Sequence, residues 1–289
     1  MGEHETIEQR AEVEDPGYAL SASSDHEHER LRRQAERFAP FTRRLLKRAG
    51  IKSGMRVLDV GCGPGDVSFL VSELVGRDGS VIAIERDWDA IATARARATE
   101  AETANVEFIH GDFRDVELDG GPFDALVGRM VLMYQSDPAA AVSAGARHLR
   151  SGGVAAFAEM SMQLDLPAER ICWPRTTAFE TACRWVYAAF GGLGTQPDMG
   201  LRLQETLAQA GLLPSPELDT HVAIATGEDA VETLVGLIRS MSPAIIASEV
   251  ATEQELEANT LAERLRDDAG AIEPIVMWPI VIGAYAIKP

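Results

Sequence analysis

The stretch Arg56-Val57-Leu58-Asp59-Val60-Gly61-Cys62-Gly63-Pro64-Gly65-Asp66 constrains the chain more than any other, because it reads as a buried strand, a glycine-rich turn and a helix start. Gly61, Gly63 and Gly65 alternate along the turn. They remove side chains that would hold a ligand away from the backbone, and they permit positive φ where the chain reverses. Val81-Ile82-Ala83-Ile84-Glu85 sharpens this reading, as a second apolar run that ends in a carboxylate twenty residues after Gly65. In a doubly wound sheet that carboxylate lies at the end of the neighbouring strand, placed to accept hydrogen bonds from a ribose diol.

Two ligand classes suit such a turn, dinucleotides and S-adenosylmethionine, and they differ in the charge they bring to it. A dinucleotide brings an anionic pyrophosphate, which Asp59 just before the turn would repel. S-adenosylmethionine has no phosphate and carries an ammonium and a sulfonium, so an acid here favours it. The spacing Gly-x-Gly-x-Gly also departs from the Gly-x-Gly-x-x-Gly of dinucleotide folds. On these residues the chain resembles the class I S-adenosylmethionine-dependent methyltransferases, of the bacterial small-molecule type.

The resemblance runs in order from about Arg56 to Met162. Val106-Glu107-Phe108-Ile109-His110-Gly111-Asp112-Phe113 is similar to the family's third strand, followed by the acid and apolar residue that hold adenine. Phe123-Asp124-Ala125-Leu126-Val127-Gly128-Arg129-Met130 is similar to its fourth strand. Asp137-Pro138, an N-cap followed by proline at the first helical position, starts a helix ending near Leu149. Ser151-Gly152-Gly153 then turns into a fifth strand, Val154 to Glu159. The resemblance implies cofactor contacts at Asp59, Gly61, Cys62, Gly63, Gly65, Glu85 and Arg86, and again at Gly111, Asp112 and Phe113. Arg129 and Met130 would flank the methionine part of the cofactor, although a structural ion pair explains Arg129 as well. The implied fold is α/β, a doubly wound, mostly parallel, seven-stranded Rossmann-like sheet with an N-terminal helical cap and helical insertions that roof the active site.

Composition narrows the partner. A formal net charge of −18 disfavours nucleic acid, whose phosphates are bound by clustered Lys and Arg. Arg32, Arg33, Arg43, Arg44, Lys47 and Arg48 are interleaved with Leu31, Ala35, Phe38, Leu45 and Leu46, and read as the solvated face of a helix. A small-molecule acceptor is expected. No apolar run approaches the roughly 20 residues that span a bilayer, and Met1-Gly2-Glu3-His4-Glu5-Thr6 lacks the basic then apolar pattern of a secretory signal. A cytoplasmic protein without membrane contact is the expectation. Cys62, Cys172 and Cys183 show no metal spacing, and His26 and His28 are too close in sequence to share a helix face, so no metal is expected.

The chain divides into an acidic tail without fixed structure (1–15), a helical cap (16–50) interrupted near Pro40, and the cofactor-binding core (51–162). An aromatic helical insertion (163–200), a core helix and strand (201–227), a helical lid or dimer-forming insertion (228–270) and a final strand (271–289) follow. Trp173, Trp185 and Phe190 of the first insertion, with Tyr134, form the expected acceptor pocket. Tyr18-Ala19-Leu20 and Glu29 to Gln34 are similar to a helix that folds over the cofactor in small-molecule and quinone methyltransferases, which makes Tyr18 and Gln34 expected cofactor contacts.

Methyl transfer is an in-line displacement, so holding the nucleophile on axis supplies most of the rate, worth roughly 7 to 11 kcal/mol, and no dedicated catalytic residue is required. Where the acceptor must lose a proton, Glu159 is the candidate base, since it follows the fifth strand's apolar run at the carboxyl edge of the sheet. Two alternatives stand beside methylation of a small, partly apolar acceptor in bacterial secondary metabolism. One is carbon methylation of a quinone ring. The other is binding of S-adenosylmethionine without methyl transfer, as in a sensor, lyase or isomerase.

Overall fold

The computed structural model describes residues 25–162, 172–192 and 194–289. The tail, Tyr18 and part of the aromatic insertion lie outside the described residues. Helix α1 (Asp25–Arg48) runs straight through Pro40, where the sequence suggested an interruption. Proline removes one helical hydrogen bond there. Phe38 and Phe41, fully buried, and Leu45 hold the helix on the sheet, and apolar burial of that kind outweighs one lost bond. Gly283 makes this close approach possible, because a Cβ on it would come within 2.7 Å of Leu45 Cδ2.

The core alternates strand and helix as the apolar runs require: β1 (Arg56–Val60), α2 (Asp66–Val75), β2 (Ser80–Glu85), α3 (Trp88–Glu100), β3 (Val106–His110), β4 (Phe123–Arg129), α4 (Pro138–Ala146) and β5 (Leu149–Ser161). Asp87 caps α3 by accepting from the N–H groups of Asp89 and Ala90, and Asp137 caps α4 through Ala140. Strands β3, β2, β1, β4 and β5 pair side by side in parallel. The order reverses between β1 and β4, and the crevice at such a switch point is where open α/β sheets bind ligands.

The C-terminal half contains β6 (Cys172–Trp173), α5 (Thr177–Gly192), α6 (Met199–Gln209), β7 (Leu213–Pro214), β8 (Asp219–His221), β9 (Ile224–Thr226), α7 (Gly227–Ala247), α8 (Ala258–Ala269), β10 (Ile275–Met277) and β11 (Ile280–Ile287). The main sheet has eight strands rather than seven, with β11 antiparallel to β5 and both β7 and β8 paired to β11. The additional strand is the two-residue β7, too short to announce itself as an apolar run; separately, two expected strands each break in two. The sixth splits into β8 and β9, and the last splits at Trp278-Pro279 into β10 and β11, leaving β6, β10 and β9 as a separate three-stranded sheet. Trp278 N–H donates to Ala223 O at 2.9 Å, joining the two breaks. Among the described residues one helix, α7, is by length and composition apolar enough to cross a membrane, although Glu232 and Arg239 interrupt its apolar run. Half of that stretch is buried in the fold, packed on α5, α8 and α1.

Candidate active site

Positive φ at Gly61 (61°), Gly63 (52°) and Gly65 (90°) shows why the turn needs glycine, but only one of the three leaves room for a ligand. A Cβ on Gly61 would meet Val131 Cγ2 at 2.7 Å, and one on Gly65 would meet the Phe69 and Phe108 rings at 3.0 and 3.1 Å. Those two glycines let helix and loop pack. Gly63 has nothing within 4 Å of its absent Cβ, and it lines a cavity of about 200 Å³ at the carboxyl ends of β1, β2 and β4. Gly65 does not line it.

One half of this cavity is built from the residues that the motifs single out. Glu85 Oε2 accepts from Gly63 N–H at 3.0 Å, and its Oε1 accepts from Arg86 and Asp87 N–H at 2.8 and 3.0 Å. The carboxylate therefore shapes the turn as well as bordering the cavity. Gly61, Cys62, Arg86, Gly111, Asp112 and Phe113 border this half too. Burial pushes the Cys62 thiol up, so it stays protonated. Burial also raises the Asp112 carboxyl, but hydrogen bonds and charge from Arg114 outweigh it and hold that group below the ordinary range.

Asp59 is fully buried beneath the turn and does not line the cavity. Its Oδ2 accepts from the Ser68 hydroxyl at 2.6 Å, while Oδ1 is buried without a hydrogen-bond partner. Burial raises its pKa to about 7, against the Ser68 hydrogen bond and the positive charge of Arg129. Arg129, at the end of β4, does border the cavity, and so does Met130. Among the described residues the guanidinium makes one hydrogen bond, to Thr42 Oγ1 at 3.1 Å, and lies 6.0 Å from the centre of the Phe38 ring. No carboxylate lies within ion-pair distance of it among those residues, which removes the structural ion pair. Burial lowers its pKa, and the charges of Asp66 and Asp59 oppose that shift.

The other half is bordered by Gln34, Tyr134, Gln135, Met160, Phe190 and Trp278, with Ala35, Met133 and Leu237. Three sequence expectations are corrected here. Glu159 is fully buried off the cavity, its Oε1 accepting from Val131 and Leu132 N–H at 2.9 and 2.8 Å and its Oε2 from Met133 N–H at 3.2 Å. It holds the loop after β4 and touches no acceptor space. Trp173 is 52% exposed on the small sheet, and Trp185 is packed in the core of α5; neither lines the cavity. Trp278, Met160, Gln135 and Leu237 escaped the sequence reading. The Trp278-Pro279 pair interrupting an apolar run was the available signal, since proline cannot sustain a central strand.

A doubly wound sheet with a cavity spanning its switch point has its ligand site where open α/β folds place theirs. A methyltransferase-domain family matches residues 51–211, more than half of the chain, and the protein belongs to that family. Its cofactor is S-adenosylmethionine. The chain is 37% identical over 123 residues to nocamycin O-methyltransferase of Saccharothrix syringae, covering 41% of this chain and 42% of that one. It is 29% identical over 126 residues to demethylmenaquinone methyltransferase of Staphylococcus aureus, covering 44% and 52%. Each match therefore spans only about half of the relative's length. A crystal structure of a Bacillus halodurans protein assigned to the methyltransferases superposes with a TM-score of 0.57 at 20% identity, covering 86% of this chain and 98% of that one, which shows the shared fold.

The cavity residues suit this cofactor. The Arg129 guanidinium, which borders the cavity with one hydrogen bond among the described residues, matches a ligand carboxylate, and Asp59 beneath the turn adds negative charge that a ligand ammonium would offset.

Proposed function

We propose that the protein transfers the methyl group of S-adenosylmethionine to a small, partly apolar acceptor. The observation that carries this reading is one cavity running from Glu85, Asp112 and Phe113 at the sheet edge to Phe190, Leu237 and Trp278 under the insertions. When bound, the cofactor supplies an electrophilic methyl on a sulfonium. Glu85 is placed to take the ribose diol, Asp112 and Phe113 the adenine, and Arg129 with Met130 the methionine part, Asp59 acting by charge from beneath the turn. Gln34, on α1, donates to Met130 Sδ at 3.4 Å and so stands where the two halves of the cavity meet. Among the described residues bordering the acceptor half there is no carboxylate or imidazole, so the chain's contribution is orientation and exclusion of water. An acceptor that ionises readily suits such a site. The similarity to nocamycin O-methyltransferase supports oxygen as the accepting atom and a place in bacterial secondary metabolism; the similarity to demethylmenaquinone methyltransferase supports ring carbon as the second reading.

Arg129 provides the test. Calorimetry with S-adenosylhomocysteine and with 5′-methylthioadenosine, which lacks the amino-acid end, should show tighter binding of the former in the wild type. Arg129→Met should weaken the former by about 1.5 to 3 kcal/mol, the range for hydrogen bonds to charged groups, and leave the latter unchanged. Transfer of label from methyl-labelled cofactor to a panel of phenols, carboxylic acids and quinols then identifies the accepting atom. No binding of either nucleoside, or no transfer to any acceptor with cofactor bound, overturns the corresponding half of the reading.

A further inference from the structure

We propose that the acceptor half opens into a separate apolar subsite that takes a short alkyl branch of the acceptor, about two carbons long. The inference rests on the acceptor half described above and adds the shape of the molecule that fills it. A second cavity of about 30 Å³ lies between α5, α7 and the connection from β10 to β11. Met160, Phe190, Leu237 and Trp278 line both cavities and stand between them, so a branch leaving the acceptor half passes among these side chains. Behind them the walls are Cys183, Val186, Leu234, Val276 and Pro279.

No charged side chain lines this space among the described residues. Its two hydroxyl-bearing residues present no charge either. Thr233 Oγ1 already accepts from Arg37 Nη2 at 2.9 Å, and burial pushes the Tyr187 phenol up to about 12. The space would hold about two water-sized groups, but a water needs roughly two to four polar partners, which these walls do not supply. Methyl and methylene groups need none, and leaving water favours them. Apart from Met160 on β5, the walls come from both helical insertions and the broken last strand, so the subsite is built mostly by parts of the chain outside the cofactor-binding core.

Xenon and an alkylbenzene series test the proposal on the wild-type protein. Crystals under xenon pressure should show an atom among Val186, Leu234 and Val276. By ligand-detected NMR, affinity should rise about fourfold per carbon from benzene through toluene to ethylbenzene, then level off by butylbenzene. Val186→Phe, which fills the space, should abolish the xenon site and flatten the series; Leu234→Phe serves if that variant does not fold. An empty xenon map, or a rise that continues evenly through butylbenzene in wild type and variant alike, overturns the subsite. S-adenosylhomocysteine is titrated into the same samples, so failure of the cofactor reading registers there and not in the alkyl series.

Discussion

Glu159 lies off the cavity, beside Met160 on β5, and still controls the cavity's shape. Met130 borders the cavity with φ of 57°, a left-handed conformation that costs a non-glycine residue about 1 to 3 kcal/mol. The next three N–H groups are fastened to one carboxylate, which holds that strained turn in place. Glutamine at this position keeps the volume but offers one oxygen to three donors and brings its own NH₂ against at least one of them. Glu159→Gln should therefore lower stability by about 2 to 4 kcal/mol, given roughly 1 to 3 kcal/mol for each buried donor left unpaired. Affinity for S-adenosylhomocysteine and turnover should fall together, while the acidic limb of the rate profile stays where it was. Loss of that limb with unchanged urea stability would instead restore the role of a base. The sequence placed this residue at the right strand end but could not show which way its carboxylate turns. Glu85 and Asp112 border the cavity as expected for a related reason: each ends or follows a strand beside the turn, where topology alone fixes the neighbourhood, whereas Asp59, inside β1, lies beneath the turn and off the cavity. Phe190 borders the cavity as expected of the aromatic insertion, whereas Leu237 on α7 and Trp278 between β10 and β11 carry an apolar pattern that is the same as for packing in the core.

Among elements, α1 and α7 roof the cavity through Gln34 and Leu237, and ion pairs join them along one edge. Arg33 pairs with Glu232, and Arg37 Nη2 reaches Asp229 at 2.6 Å and Thr233 at 2.9 Å. Farther along α1, Arg43 meets Glu73, Arg44 meets Asp219 and Arg48 meets Glu217. The face that reads from sequence as solvated is thus a row of ion pairs, because its acidic partners lie in elements as distant as 199 residues along the chain. Exposed pairs contribute only about 0 to 1 kcal/mol each, so their effect is local. Arg37→Met should leave the urea midpoint nearly unchanged but speed amide exchange in 33–48 and at the start of α7, more so without cofactor. Equal acceleration in β1 and β4 would show that the pair supports the whole fold. The parallel core was legible because each strand is a continuous apolar run bounded by caps and glycines. The three-residue strands β8, β9 and β10 were not, since a run that short fixes neither its sheet nor its partner.

Over the whole molecule, Asp59 and Glu159 are two fully buried carboxyls whose pKa values burial raises to about 7, from 3.8 and 4.5. Well below pH 4 both are protonated whether folded or unfolded, and well above pH 7 both are ionised in either state. Between those limits the folded chain holds more protons than the unfolded one, so by linkage stability falls as pH rises and is highest at the acidic end of the window. Each tenfold gain in a carboxylate's proton affinity on folding is worth about 1.4 kcal/mol, so the two groups together should make the protein several kcal/mol more stable at pH 5 than at pH 8. A net charge of −18 acts in the same direction, since self-repulsion eases as carboxylates protonate toward the isoelectric point near 4.7. The proposed cofactor reverses the preference for one of the two groups. An ammonium near Asp59 favours its ionised form, so binding expels a proton and affinity should rise with pH until about 7. Urea unfolding at pH 5 and pH 8, with and without saturating S-adenosylhomocysteine, separates the effects. The free protein should be more stable at pH 5 and its gain from ligand larger at pH 8, with Asp59→Asn removing most of the pH dependence of that gain. A ligand gain that is equal at both pH values would show that Asp59 gives up no proton when the cofactor binds, and the proposed linkage between its titration and the ligand would fall.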